Sequence, residues 1–237
     1  MRKTPGFKLS RPPQTATRII AAWFPDMVFP PSNPLPCSFY ARPTLDVAQD
    51  LLGKLLVRFE ADGSLTTAIL VEVEAYIGED DLACHARAGR TRRNAPMYGP
   101  PGTVYIYFTY GMHWMLNAVT EAAGSPAAVL LRGALPQAGI ERMRIRRSHK
   151  PDHLLSDGPA KLCQAFAIDR AFNQTSLCAP HSPLSIHEGL HVAHSAIHMS
   201  PRIGLNSVPE PWKSIPWRFV ITPDALPIPK ITESQAK

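Results

Sequence analysis

The sequence predicts an α+β fold: a single compact domain with a curved, mainly antiparallel sheet flanked by helices, behind a disordered N-terminal leader. β-rich runs follow one another at 54–60, 65–76, 103–110, 112–120 and 127–132, while helical patterns are grouped at 136–147 and 159–168. Grouped helices argue for segregated layers over a doubly wound sheet. Tight turn signals join neighbouring runs, Asp62-Gly63 between the first two and Gly111 between the next two, as antiparallel hairpins require. The length of 237 residues suits one domain with a tail, or at most two small ones.

Residues 1–36 are proline-rich and lack apolar periodicity, which reads as a disordered leader or an over-extended start of translation. The folded domain, 37–237, should begin in earnest near Phe39. A short helix over 44–52 follows from apolar Leu45, Ala48, Leu51 and Leu52, with Thr44 as a possible cap and Gly53 just beyond the end. Runs 54–60 and 65–76 should pair antiparallel. The 25 residues of 78–102 have no sustained period and carry Arg87, Arg90, Arg92 and Arg93; loops this long within a domain are usually functional or disordered. The hairpin 103–120 and the strand 127–132 come next, then a basic helix and a second helix. Short strands and proline-rich loops fill 182–223.

The chain carries 25 Lys+Arg against 19 Asp+Glu, a net charge of +6, with a pI of about 9.3. Hydrophobic residues make up 45% and charged residues 19%, which excludes a coiled coil and an acidic disordered chain. The four cysteines, Cys37, Cys84, Cys163 and Cys178, form no CxxC pair, so zinc ribbons are excluded and all four read as reduced thiols of a cytosol. No run of 18 apolar residues offers a membrane span. The basic start, Arg2, Lys3 and Lys8, is not a signal peptide: its longest apolar run, 19–24, ends at Pro25-Asp26.

Alternation along 69–76 sets Ile69, Val71, Val73 and Ala75 on a core face and Glu72, Glu74 and Tyr76 on the other. The second face is either a solvated sheet face or a site at a strand end, where the loop bearing His85 begins. Tyr105, Tyr107 and Thr109 share a face in the next hairpin, opposite Val104, Ile106, Phe108 and Tyr110. Tyr110, beside Gly111 at the turn, is either a wedge or a cap over the end of the core. The loop arginines, with Arg142, Arg144, Arg146, Arg147 and Lys150 about the basic helix, are candidates for phosphate contacts or plain solvated surface. Asp157-Gly158-Pro159 offers a helix start that could hold a phosphate, or simply a cap at Asp157. His187, His191, His194 and His198, spaced 4, 3 and 4, would form a metal-ligand stripe on a helix, though Pro183, Gly189 and Pro201 limit any such helix.

Several ungapped blocks then carry a resemblance: VEVEAYIGEDDLACHA (71–86), PGTVYIYFTYGMHWMLN (101–117), VLLRGALP (129–136), DGPAKLCQAFAI (157–168) and PRIGL (201–205). In this order they resemble the alkyladenine, or 3-methyladenine, DNA glycosylase family over about residues 38–220. The resemblance implies a metal-free, cofactor-free monofunctional glycosylase of base-excision repair, acting as a monomer on alkylated purines in damaged double-stranded DNA. It implies cytoplasmic placement, with the nucleoid in a bacterium or in the nucleus of a eukaryote, and no membrane partner. Carried over by residue, Glu74 is the general base that activates water and Arg132 helps position that water. Tyr76, His85 and Tyr107 line the base pocket, Asn117 forms part of its wall, and Tyr110 intercalates where the flipped nucleotide had been. The alternative is a non-catalytic module that binds damaged duplex, which would have no need of Glu74.

Overall fold

The structure is a computed structural model and describes residues 33–222. Its helices are α1 (Cys37–Tyr40), α2 (Thr44–Leu51), α3 (Ile140–Arg146) and α4 (Pro159–Ala165). Its strands are β1 (Leu55–Phe59), β2 (Leu65–Ile77), β3 (Val104–Thr109), β4 (His113–Val119), β5 (Ala127–Ala138), β6 (Leu184–His187), β7 (Ile197–Ser200) and β8 (Arg218–Ile221). They form one eight-stranded sheet with the path β3-β4-β5-β2-β1-β6, and every pairing in it is antiparallel. The α+β architecture is therefore the one the sequence predicts. Of the leader, residues 1–32 lie outside the described residues, whereas Leu35 is buried and donates its backbone N–H to the Ile186 carbonyl at 2.8 Å.

The 13-residue β2 organises the sheet. One edge pairs along its length with β5; the other pairs with β1 through residues 65–69 and then with β8 through Glu72–Glu74. This explains one difference from the sequence reading. The expected strand 127–132 continues to Ala138, and the basic helix starts at Ile140, not at residue 136. Residues 133–138 are needed to cover the first half of β2, and Pro136 is tolerated there because it borders a register shift, where a missing N–H breaks no regular ladder. Helix α2 also differs in its start. Thr44 makes no side-chain cap; its N–H and hydroxyl both donate to the Glu121 carboxylate, which supplies negative charge at the helix N-terminus from across the fold.

One face of the sheet packs against α2 and α4. Val47, Ala48 and Leu51 of α2, Leu162 and Ala165 of α4 and Phe166 just beyond its end meet Ala68, Leu70, Val73, Ala75, Ile106, Leu116, Val129 and Leu131 in one core cluster. The opposite face of β2–β5 carries a second, smaller cluster in which Cys84, Ala86 and Met97 from the 78–102 loop cover Tyr105, Val119 and Ala128. That loop is thus an ordered layer with two short 3₁₀ turns, His85–Ala88 and Ala95–Tyr98. Buried Asn94 fastens it, donating to the carbonyls of His85 and Gly89 at 2.8 and 2.9 Å.

The expectation of four reduced thiols is corrected. Cys37 and Cys178 form a disulfide with a Cα–Cα distance of 5.4 Å, while Cys84 and Cys163 are free and buried. The pair is 141 residues apart in sequence, so only the folded topology brings α1 beside the loop bearing Cys178.

Candidate active site

Strand pairing assembles the site. Tyr105 on β3 lies opposite Asn117 on β4, Asn117 opposite Leu130 on β5, Leu130 opposite Glu74 on β2, and Glu74 opposite Arg218 on β8. Residues directly opposite share a face, so this row crosses the sheet on the side turned away from the helical core. Alternation adds Tyr107, Met115 and Tyr76 to the same side. Arg132 reaches it by another route. Glu72 pairs with Gly133 and Val73 with Leu131, which leaves Arg132 as the extra residue of a register irregularity. Bulges of this kind re-aim a side chain, and here the guanidinium is delivered between two carboxylates.

A cavity of about 360 Å³ opens on this face, and its wall includes Tyr76, His85, Tyr107, Tyr110, Asn117 and Arg132. Six of the seven residues singled out in the sequence therefore come together. Glu74 stands one layer behind, fully buried, with three of its partners in the wall. The Ile203 backbone N–H donates to Glu74 Oε1 at 2.7 Å, while the Tyr76 hydroxyl and Arg132 Nη1 donate to Oε2 at 2.9 and 3.3 Å. Glu72 holds Arg132 through Nε at 2.8 Å and also accepts from Arg218 Nε at 2.7 Å.

Burial pushes the Glu74 carboxyl above the usual carboxylate range, against the opposing pull of Arg132, the Ile203 N–H and the Tyr76 hydroxyl. A raised carboxyl binds a proton more avidly, which suits a base that must take one from water. Burial and the Glu74 charge keep the Tyr76 phenol well above its ordinary value, so it remains a donor. Burial, with Arg93 and Arg87 nearby, lowers the His85 imidazole to about 4. His85 is therefore neutral at physiological pH, its Nδ1 in a 2.9 Å hydrogen bond with the Tyr105 hydroxyl.

Tyr110 is no cap over the core. It is 82% exposed at the tip of the β3–β4 hairpin, with φ of 51° followed by 66° at Gly111, as in a primed turn. Asn117 is buried and donates to the Tyr105 carbonyl at 3.0 Å. The basic residues divide into two groups. Arg142, Arg144 and Arg146 of α3 pair with Asp62, Asp152 and Glu60, so the expected phosphate-binding helix is engaged in holding neighbouring segments. In the 78–102 loop, Arg87, Arg90, Arg92 and Arg93 form no ion pair among the described residues; Arg93 lies 5.6 Å over the Tyr107 ring and Arg90 5.6 Å over Tyr98.

The four histidines do not form a helical stripe. His187 is buried on β6 beside Ser185, His191 is in a loop, His194 in a 3₁₀ turn and His198 on β7. Among the described residues no three His, Cys, Asp or Glu side chains are grouped to hold a metal ion. Nor is any helix there long and apolar enough to cross a membrane.

Sequence reasoning missed Tyr105, Met115, Leu130 and the rim residues Ile203, Gly204 and Leu205. Tyr105 shared a face with Tyr107 and could have been added on alternation alone. Ile203 acts through its peptide, which side-chain chemistry does not reveal. Asp81 and Arg202 were also passed over; both side chains are wholly buried and paired at 2.5 Å.

The profile of the methylpurine-DNA glycosylase (MPG) family matches residues 38–225. Three curated relatives bear the name "Putative 3-methyladenine DNA glycosylase". That of Chlorobaculum parvum is 45% identical over 188 residues, 79% of this chain and 87% of its own. That of Myxococcus xanthus is 45% identical over 187 residues, 79% and 89%. That of Methanocella arvoryzae is 48% identical over 186 residues, 78% and 90%. A match that takes in every strand of the sheet and every wall of the cavity shows that the chain belongs to the methylpurine-DNA glycosylase family.

Proposed function

We propose that the protein hydrolyses the N-glycosidic bond of alkylated purines, among them 3-methyladenine and 7-methylguanine, in damaged duplex DNA. The observation that carries this reading is a fully buried carboxylate, Glu74, whose Arg132, Tyr76 and Ile203 partners form part of an aromatic cavity. Bond cleavage gives the sugar oxocarbenium character, which a carboxylate stabilises while taking a proton from the attacking water. The 3.3 Å approach of Arg132 to Glu74 is the loosest of the three contacts. A water held by both groups would enter there, with Glu72 keeping Arg132 in place.

An alkylated purine carries positive charge and leaves readily, so recognition needs electron-rich rings more than an acid. Tyr76 and Tyr107 present such rings, each contact worth roughly 0.5 to 2 kcal/mol. Neutral His85 adds no cation of its own to repel the base. The base must leave the helix to reach the cavity, at a cost of a few kcal/mol of lost stacking. Exposed Tyr110, at the cavity mouth, would fill the gap and keep the duplex from reclosing. The loop arginines without carboxylate partners would meet the phosphates.

The test is incubation with duplexes that each carry one 3-methyladenine, 7-methylguanine, hypoxanthine or ethenoadenine, followed by cleavage at abasic sites. Wild type should excise at least one alkylated purine, and Glu74→Gln should bind the duplex without excising. Binding by the wild type with no excision of any lesion would instead support the damage-binding module.

A further inference from the structure

The mechanism leaves Arg202 and Asp81 unused, although they form a wholly buried ion pair. Arg202 Nη1 and Nη2 donate to Asp81 Oδ2 and Oδ1 at 2.5 and 2.9 Å, and Nη1 also donates to the Ala75 carbonyl at 2.9 Å. Asp81 in turn accepts from the backbone N–H of Ala83 at 3.0 Å, two residues before His85. Replacing such a buried pair by apolar groups is often neutral or stabilising, so stability alone is a poor reason for one. Arg202 Nε is buried with no hydrogen-bond partner among the described residues.

What the pair does fix is the backbone beside Glu74. The carbonyl gripped by Arg202 belongs to Ala75, the residue after Glu74, and the N–H that follows Arg202 is the Ile203 donor to Glu74 Oε1. The guanidinium also lies 4.6 Å over the Tyr76 ring, whose hydroxyl is the donor to Oε2. On the reading of Glu74 as the base, we propose that the Arg202–Asp81 pair is a positioning device that aims two of the three hydrogen-bond donors at the Glu74 carboxylate and braces the Tyr76 wall of the base pocket.

The groups facing Glu74 are Arg132 on β5, Glu72 and Tyr76 on β2, Tyr107 on β3, Arg218 on β8 and the Ile203 N–H on the rim. None is substituted in Asp81→Asn/Arg202→Met, which removes both charges together. With a 7-methylguanine duplex at saturating protein, this variant should excise about tenfold or more slowly in single turnover, because misplacing a catalytic group by an ångström is costly. Duplex affinity should change by less than threefold, roughly the scatter of a neutral contact. The acid limb of the rate should move up by roughly half a pH unit or more, since a carboxylate that loses N–H donors holds its proton more tightly. A merely structural role lowers the active fraction and leaves the limb where it is; that result would overturn the proposal. Should the double variant not fold, Arg202→Lys carries the test. It keeps a charge beside Asp81 without the fork that also grips Ala75, and an unshifted limb overturns the proposal equally. Absence of excision of every alkylated purine by the wild type itself would refute the parent reading, a distinguishable failure that takes the proposal with it.

Discussion

Replacing Tyr110 by Ser is the sharpest perturbation available, because its two consequences separate cleanly. With the side chain 82% exposed, less than a fifth of its surface is covered. An aromatic that buries roughly 200 Å² when enclosed would here bury about 40 Å², worth about 1 kcal/mol at about 25 cal/mol per Å². Its positive φ does not alter that balance, since Ser also carries a Cβ and keeps the cost of about 1 kcal/mol that the left-handed conformation imposes. The substitution should therefore shift the melting temperature by no more than about 2 to 4 °C in a domain of this size. Tyr110→Gly, which removes that strain, should melt no lower than Tyr110→Ser.

Excision should respond far more. A ring stacked on a base contributes about 1 to 3 kcal/mol, so losing the wedge should slow single-turnover excision from duplex by about fivefold to 150-fold. The same lesion in single-stranded DNA has no partner strand to reclose, and there the defect should largely vanish. Unchanged excision from duplex, or an equal defect on both substrates, would refute the wedge. A stability loss of about 3 to 5 kcal/mol, typical of a deleted buried ring, would refute the exposure argument beneath it.

Glu74→Gln should abolish excision yet melt no lower than wild type at neutral pH. Its folded carboxyl is raised, so its contribution to stability is present below the unfolded value and lost as pH rises through the folded one; calorimetry at pH 7.5 checks this. For wild type, excision should fall as pH drops through the raised Glu74 value, with no alkaline loss before the tyrosines ionise, above their ordinary 10.0. His85 behaves oppositely in stability: its folded value is lowered from 6.5 to about 4, so stability is full above 6.5 and lost as pH falls toward 4, a slope that His85→Gln should flatten in melting curves. Excess chelator should leave excision unchanged, and a zinc-restored loss would overturn the metal-free reading. Neutralising Arg87, Arg90, Arg92 and Arg93 should flatten the salt dependence of duplex binding by roughly 0.9 in log–log slope per lost phosphate contact. Arg142→Gln, which breaks the Asp62 pair, should leave that slope alone.

What could be read from sequence was what period and turn chemistry encode. The β1–β2 hairpin, the shared face of Glu74 and Tyr76 and that of Tyr105 and Tyr107 all follow from alternation, and strand pairing preserves them across the sheet. Alternation failed where register slips. Nothing in VLLRGALP announces that Arg132 is the skipped residue of a bulge, or that the strand runs on to Ala138; a short apolar run reads equally as strand or helix start. Contacts between distant segments were illegible for a different reason. The Ile203 N–H lies 129 residues from Glu74 in sequence and acts through a backbone group that every residue but proline carries. The Cys37–Cys178 bond and the ion pairs of the basic helix likewise depend on chain closure, not on local pattern.

The two faces of the sheet divide stability from chemistry. On the helical side, Leu51, Leu116, Leu131 and Phe166 are closed off by apolar neighbours, and each buried side chain contributes roughly 1.5 to 3 kcal/mol. On the other side, the layer over β2–β5 is a loop held by polar groups: Asn94 to the His85 carbonyl, Asp81 to Arg202, His85 to Tyr105. Hydrogen bonds are directional where apolar packing is not, so they set positions at small net gain in stability. A carboxylate kept in such a layer is destabilised by burial and held in place by donors, which is the condition a base needs before its substrate arrives. Strand β2 belongs to both faces, with Val73 and Ala75 in the core and Glu74 and Tyr76 in the site. The rigidity of one is thereby lent to the other through a single backbone.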